Sequence, residues 1–261
     1  MKNFRDASLR RSRSTTSNVI PLRQRENRCS DCPAREFCLP AGLADDELRT
    51  FAENIDGECH LREAEVLYRA GDPFKALYAI FGGALKSSIP SKGGREQVAG
   101  YYLRGEIVGF DGIACARHTC RASALEDTIV CAIPFARLEE LARAIPALQK
   151  RIYRMLAREV SRNRNLISLF GIRDAQVCLV SFLLDLSERS RQHGHSANEL
   201  TLHLSHAEIG SYLALSRATV SSALSRLQAA GLMQVQGRRI KLLDLPYLKR
   251  LVGKDLAFSP A

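Results

Sequence analysis

The sequence predicts an α+β protein: an N-terminal cupin-like β-roll (jelly roll), one long helix, and a C-terminal winged helix-turn-helix. Three observations carry this prediction. From Gly57 to Pro134, short apolar runs alternate with glycine-marked turns. Residues 138–170 repeat apolar side chains at spacings of three and four. From Ser205 to Leu227, two helical patterns meet at a tight turn, and a small hairpin pattern follows. The 261 residues are enough for two modest domains.

Composition narrows the class. The net charge of +10 is unevenly spread: residues 1–28 carry eight Lys/Arg against two acids, and residues 41–142 carry eleven against sixteen. The basic excess returns in 143–170, at seven against one, and in 204–250, at seven against two. Only parts of the chain therefore suit a polyanion, and nucleic acid leads. No stretch approaches the ~20 apolar residues of a membrane helix. The N-terminus lacks the apolar run of a secretory signal, so the chain is expected to be cytoplasmic. Eight cysteines in a reducing compartment point to metal or redox work rather than to disulfides. There is no Ser/His/Asp or paired-carboxylate constellation, Walker loop or dinucleotide fingerprint, so an enzyme is not expected.

Taken in order, residues 1–28 form a basic leader too poor in apolar residues to offset its ordering entropy. Residues 29–40 follow as a cysteine arm, with Cys29, Cys32 and Cys38 spaced C-x2-C-x5-C. Thiolates this close invite zinc or an iron–sulfur cluster, and the spacing does not decide between them. Three sulfurs leave a four-ligand site incomplete, so a fourth ligand must come from elsewhere. Pro33 removes one N–H that could bond a cluster sulfur. A short helix is expected over 44–54, capped by Asp45.

The β-roll spans 41–137. Its strands are read at Val66–Tyr68, Ala76–Phe81, Ala84–Ile89, Gln97–Val98, Tyr101–Leu103, Ile107–Val108 and Thr128–Ile133, with turns at Gly71, Gly82-Gly83, Gly93-Gly94, Gly105 and Gly109. Cys131 lies in the last strand and points opposite to Val130 and Ala132. The long helix, 138–170, is interrupted near Pro146. Ile152, Leu156, Val160, Asn163 and Leu166 make a narrow seam read as a homodimer interface, with Asn163 setting register. Arg151, Arg154, Arg158, Arg162 and Arg164 crowd the remaining face, so pairing is expected to be weak.

The winged helix-turn-helix spans 171–250, followed by a tail, 251–261. A helix over 174–190 buries Cys178, and the loop with His193 and His195 is expected to be solvated. Ser216 caps the second helix of the motif. Arg217, Ala218, Thr219, Ser221 and Ser222 occupy its first turns, where side chains reach base edges in a major groove. Arg238, in the wing turn, is placed near phosphates. Ala214 occupies the turn.

Helix-turn-helix, β-roll and long helix together resemble the CRP/FNR superfamily over residues 29–250. The closest likeness is to its FNR branch, through C-x2-C-x5-C before Leu39-Pro40, Leu77-Tyr78-Ala79-Ile80, Gly105–Asp111 and Val130-Cys131-Ala132-Ile133-Pro134-Phe135. The resemblance implies a 4Fe–4S cluster on Cys29, Cys32, Cys38 and Cys131, with zinc the alternative. It implies an oxygen- or redox-responsive transcription regulator that binds double-stranded DNA as a homodimer at pseudo-palindromic sites. It also implies contact with RNA polymerase through loops near Gly83–Lys86 and Ile113–His118. A cyclic nucleotide is not expected: Gly105-Glu106 is present, but Ala116–Cys120 lacks the adjacent Arg-Ser pair. Ala218 and Ser222 stand where many members carry Glu and Arg.

Overall fold

The computed structural model describes residues 29–90 and 96–253. The basic leader, the Gly93-Gly94 turn and the last part of the tail lie outside the described residues. The arm, 29–43, is a run of turns, with Cys38 N–H donating to the Ala34 carbonyl at 3.0 Å and Leu43 N–H to Pro40 at 3.2 Å. Helix α1, Asp45–Glu53, follows. Its cap is not Asp45 as expected: Ala44 is the N-cap, and its N–H donates to Glu47 Oε2 at 2.9 Å.

The β-roll consists of β1 (Gly57–Leu61), β2 (Val66–Tyr68), β3 (Ala76–Gly82), β4 (Ala84–Pro90), β5 (Glu96–Leu103), β6 (Ile107–Val108), β7 (Arg121–Ala124) and β8 (Thr128–Pro134). They form two four-stranded antiparallel sheets, ordered β1-β8-β3-β6 and β2-β7-β4-β5. The runs expected at Gln97–Val98 and Tyr101–Leu103 are one strand. Strands β1 and β7 were not expected. In β7 the sequence Arg-Ala-Ser-Ala has weak strand propensity, and burial of Ala122, Ser123 and Ala124 decides it. Gly83–Lys86 is not a surface loop: Ala84 and Leu85 are fully buried at the start of β4.

Two cores divide the roll. Tyr68, Ile80, Leu85, Val108 and Val130 fill the space between the sheets. A second core joins Leu39 and Leu43 of the arm to Leu48, Phe51, Leu77, Ile133 and Leu148 on the outer face. The arm is thereby anchored by apolar burial, while strand alternation sends Val130 to one core and Cys131 to the other.

Helix α2 (Phe135–Ala144) begins earlier than position 138, and α3 (Pro146–Leu169) follows after a break at Ile145. Proline at the first turn of α3 sets the break. The long helix shows two faces. Leu148, Ile152 and Met155 pack on the arm core, and Leu166 and Leu169 on the C-terminal core. Ile152 and Leu166 therefore face the chain's own interior rather than the outer seam. On the outside, Tyr153, Leu156, Val160, Asn163, Ile167 and Phe170 recur at alternating spacings of three and four. Tyr153, Val160, Ile167 and Phe170 are exposed by 60, 49, 65 and 51%.

The C-terminal half comprises α4 (Ala175–Gln192), β9 (Glu199–Thr201), α5 (His206–Leu213), α6 (Arg217–Ala229), β10 (Met233–Gln236), β11 (Arg239–Leu242) and α7 (Leu245–Gly253). Strand β11 pairs with both β10 and β9, so the wing has three strands rather than the two expected. Helix α7 was also unexpected, and it carries the fold into the segment read as tail. Its first turn is capped by Asp244 Oδ1, which accepts from Tyr247 N–H at 2.9 Å. The core of this half includes Ala84, Val98, Tyr101 and Leu125, so it extends into the β-roll.

Candidate metal centre and nucleic-acid interface

The four predicted cysteines converge. Cys29, Cys32, Cys38 and Cys131 line one cavity of about 30 Å³ with Ala34, Ile55 and Ile133. Cys29 is buried, and the other three thiols are partly buried. Burial, helped by the charge of Cys32, pushes the Cys29 thiol up to about 11. Cys38 is raised further by burial and by Cys131, Cys29 and Cys32, against the Leu39 N–H that it accepts from. Clustered thiols resist ionising together, and a bound cation reverses that preference. The soft donor set fits a zinc ion or an iron–sulfur cluster in chemistry and in convergence. It is not closed on a ready-made centre: among the described residues, no three His, Cys, Asp or Glu side chains stand in a metal-holding arrangement. Cys59, Cys120 and Cys178 are buried away from the arm cavity, and Cys115 is exposed.

An unpredicted residue ties the arm to α3. Arg151 donates to the Phe37 carbonyl at 2.7 Å and to the Cys38 carbonyl at 3.2 Å. Arg162 also turns inward. With Arg189 it encloses Glu106: Arg162 reaches one oxygen at 3.0 Å, and Arg189 reaches the two at 2.9 and 2.6 Å. Leu103 N–H donates to the same carboxylate at 2.8 Å. Burial alone would raise Glu106, but Arg189 and Arg162 outweigh it and hold the carboxyl at about 2. The Gly-Glu pair is visible in sequence, but nothing local marks Arg162 or Arg189 as its partners.

The helix-turn-helix forms as expected. Ser216 Oγ caps α6 by accepting from Thr219 N–H at 3.0 Å. Gly210 is required by close approach: a Cβ there would lie 2.6 Å from the Leu215 carbonyl. Ala214 adopts φ 57°, ψ 34°, a left-handed conformation that costs an L-residue ~1–2 kcal/mol. Ser216, Arg217, Ala218 and Ser222 are exposed along one flank. Thr219 is half-buried, and Ser221 bonds His206 Nδ1 at 2.8 Å. Arg238 is exposed and lies 3.6 Å from Glu63 of the β-roll. His193 is not a solvated loop residue: its ring stacks on Phe37 with centroids 4.7 Å apart.

Comparisons with known proteins agree with this architecture. The family profile of the cyclic nucleotide-binding domain matches residues 58–144, and that of the Crp-like helix-turn-helix domain matches 179–251. The transcriptional activator protein anr of Pseudomonas aeruginosa is 36% identical over 87% of this chain and 93% of its own length. The anaerobic regulatory protein of Pasteurella multocida is 36% identical over 86% of this chain and 82% of its own. Among solved structures, FixK2 of Bradyrhizobium japonicum matches with a TM-score of 0.68 and 28% identity, covering 75% of this chain and 96% of that one. Its relatives are transcription regulators rather than enzymes, no described helix is long and apolar enough to cross a membrane, and the chain belongs to the CRP/FNR family of DNA-binding transcription regulators.

Proposed function

We propose that this regulator is an oxygen- or redox-responsive transcription activator that works as a homodimer. One observation carries the reading: three thiols of an N-terminal arm and one from β8, about ninety residues away in sequence, line a single cavity. Cys29, Cys32, Cys38 and Cys131 would hold a 4Fe–4S cluster. Such a cluster supplies a soft, oxidisable centre whose integrity depends on oxygen. Names such as anaerobic regulatory protein among the relatives support the oxygen-responsive role.

Arg151 carries the position of the arm to α3 through the Phe37 and Cys38 carbonyls. The outer stripe Tyr153, Leu156, Val160, Asn163, Ile167 and Phe170 has the spacing of a two-helix seam, with one polar residue to set register. A second copy packing on that stripe would set two recognition helices about 34–36 Å apart for a pseudo-palindromic duplex. Arg217 is the best base reader, through a bidentate pair with guanine, and Ser222 and Arg238 reach bases or phosphates. Ser216, Ala218, Thr219 and Ser221 shape the same surface. Of the loop Ile113–His118, residues 114–117 are exposed while His118 is buried, and this loop is the better remaining candidate for RNA polymerase. A cytoplasmic location follows from this role. Both oxygens of Glu106 are engaged by the chain's own arginines, which argues against a ribose partner there.

The test is iron and sulfide content with operator affinity, before and after air exposure, for wild type and Cys131→Ala. A brown anaerobic wild type that bleaches and loses affinity in air supports the reading. Stoichiometric zinc in a colourless protein, or a Cys131→Ala variant that behaves as wild type, sinks it.

A further inference from the structure

Phe37, immediately before Cys38, touches three parts of the molecule. Its ring stacks on His193, with centroids 4.7 Å apart and planes at 26°. His193 is the C-cap of α4, the helix on which the winged helix is built. Phe37 Cβ packs over Gly105, where φ is +82° and an added Cβ would stand 2.8 Å from it. Its carbonyl accepts from Arg151 of α3.

The half that His193 belongs to is docked on the acidic β-roll. Lys86 of β4 pairs with Glu208 of α5. Ser211 Oγ accepts from Val98 N–H at 2.9 Å, and the Gln97 side-chain amide donates to the Ser211 carbonyl. His203 lies 3.0 Å from Glu126, and Arg238 lies 3.6 Å from Glu63. In a helix-turn-helix, the first helix crosses the phosphate backbone. Here one flank of that helix, α5, meets the β-roll, and a cation expected to meet phosphate meets a carboxylate. A phosphate that engages Arg238 would have to draw it from Glu63 of the β-roll.

The cavity among the thiols, about 30 Å³, has room for only one or two water-sized spheres. A larger group would fit among those sulfurs only with the thiols further apart, and Phe37 is bonded directly to Cys38.

We propose that Phe37 and His193 are coupling residues: beside the Arg189–Glu106 pair and the apolar core shared with the β-roll, their stack adds to what holds the winged helix docked, and movement of the arm weakens that hold. The sensor reading enters only as the cause of that movement, and the latch itself can be tested without metal.

The experiment compares wild type, Phe37→Ala, His193→Ala and His193→Phe, iron-free and iron-loaded. Each is titrated on a fluorescent pseudo-palindromic duplex enriched from random sequence by the wild type, with circular dichroism and thermal melting to establish folding. In the iron-free protein, both alanine variants bind DNA about 3- to 10-fold more tightly, the range that loss of one aromatic pair allows. His193→Phe keeps a stack and stays within about twofold of wild type, and all loaded proteins stay within about twofold of one another. Unchanged iron-free affinity in His193→Ala, or an equal rise with and without iron, overturns the latch. If Phe37→Ala does not fold, His193→Ala decides. A wild type that takes up no iron defeats the sensor reading, while the iron-free comparison still decides the latch.

Discussion

In the arm, 29–43, no residue belongs to a helix or strand, and two of its carbonyls are satisfied by a single arginine from α3. In the winged helix, side-chain caps close both helix starts, and Ile209, Leu213, Val220, Leu224 and Leu227 are buried between them. The first region pairs with no sheet and is held by buried side chains, Leu39 and Leu43 among them, and by Arg151. The second is built round a buried core of its own helices and strands, which continues into Ala84, Val98, Tyr101 and Leu125 of the β-roll. A few separable contacts suit a part whose position must change, whereas a shared core suits one whose shape must not.

The largest test of this contrast lies where the body meets the roll. Glu106→Gln leaves Arg189 and Arg162 buried without their shared counter-charge, and is expected to cost ~3–5 kcal/mol in chemical denaturation. A loss under ~1 kcal/mol would mean that the network does not hold the halves together. Acid acts on the same group. Glu106 is held at about 2, below its ordinary 4.5, so its contribution is complete above 4.5 and is lost as pH falls from there toward 2. Melting temperature measured down that range is expected to drop more steeply for wild type than for Glu106→Gln.

Next comes a matched pair of core truncations. Leu224→Ala is expected to cost ~2–5 kcal/mol of global stability, because its element cannot detach from its core. Leu39 is equally buried. Leu39→Ala is nevertheless expected to cost less global stability than Leu224→Ala, while amide exchange across 34–43 accelerates, because no backbone pairing ties the arm to a sheet. Equal global losses would erase the distinction between the two regions. Arg151→Gln should reproduce the local effect more weakly, at ~1–2 kcal/mol on arm exchange with little change in melting temperature. The smallest effect runs the other way. Ala214→Gly relieves the left-handed alanine and is expected to stabilise the winged helix by ~1 kcal/mol, seen as a raised midpoint.

Much of this was legible in the residues. The C-x2-C-x5-C spacing marks a soft-ligand site because few other arrangements place three thiols so close. Ser216 caps α6 because its hydroxyl needs only the backbone three residues on. Gly210 is explained by its own motif. The misses have a common origin. Strand β7 is built from alanines and a serine, and only the neighbouring β2 and β4 decide its state. Ile152 and Leu166 fit a helical seam as well as Tyr153 and Ile167 do, because periodicity defines a stripe but not which side of it meets the chain's own core. Arg162, counted with the solvent-facing arginines, is turned inward by Glu106, whose position depends on the β5–β6 turn.

By itself, then, the sequence determined the local elements: where the chain turns, which helices are capped, which residue types could hold a soft metal and which could read a base. Those properties depend on groups a few residues apart. Local spacing did not single out Cys131, which only the family resemblance joined to the arm; the tertiary structure alone decided that Glu106 is closed by two distant arginines, that Arg151 supports the arm from α3, and that Phe37 lies against His193. Each of those contacts joins segments far apart along the chain, and burial against several elements at once selects the pairing from many that local preference allows equally.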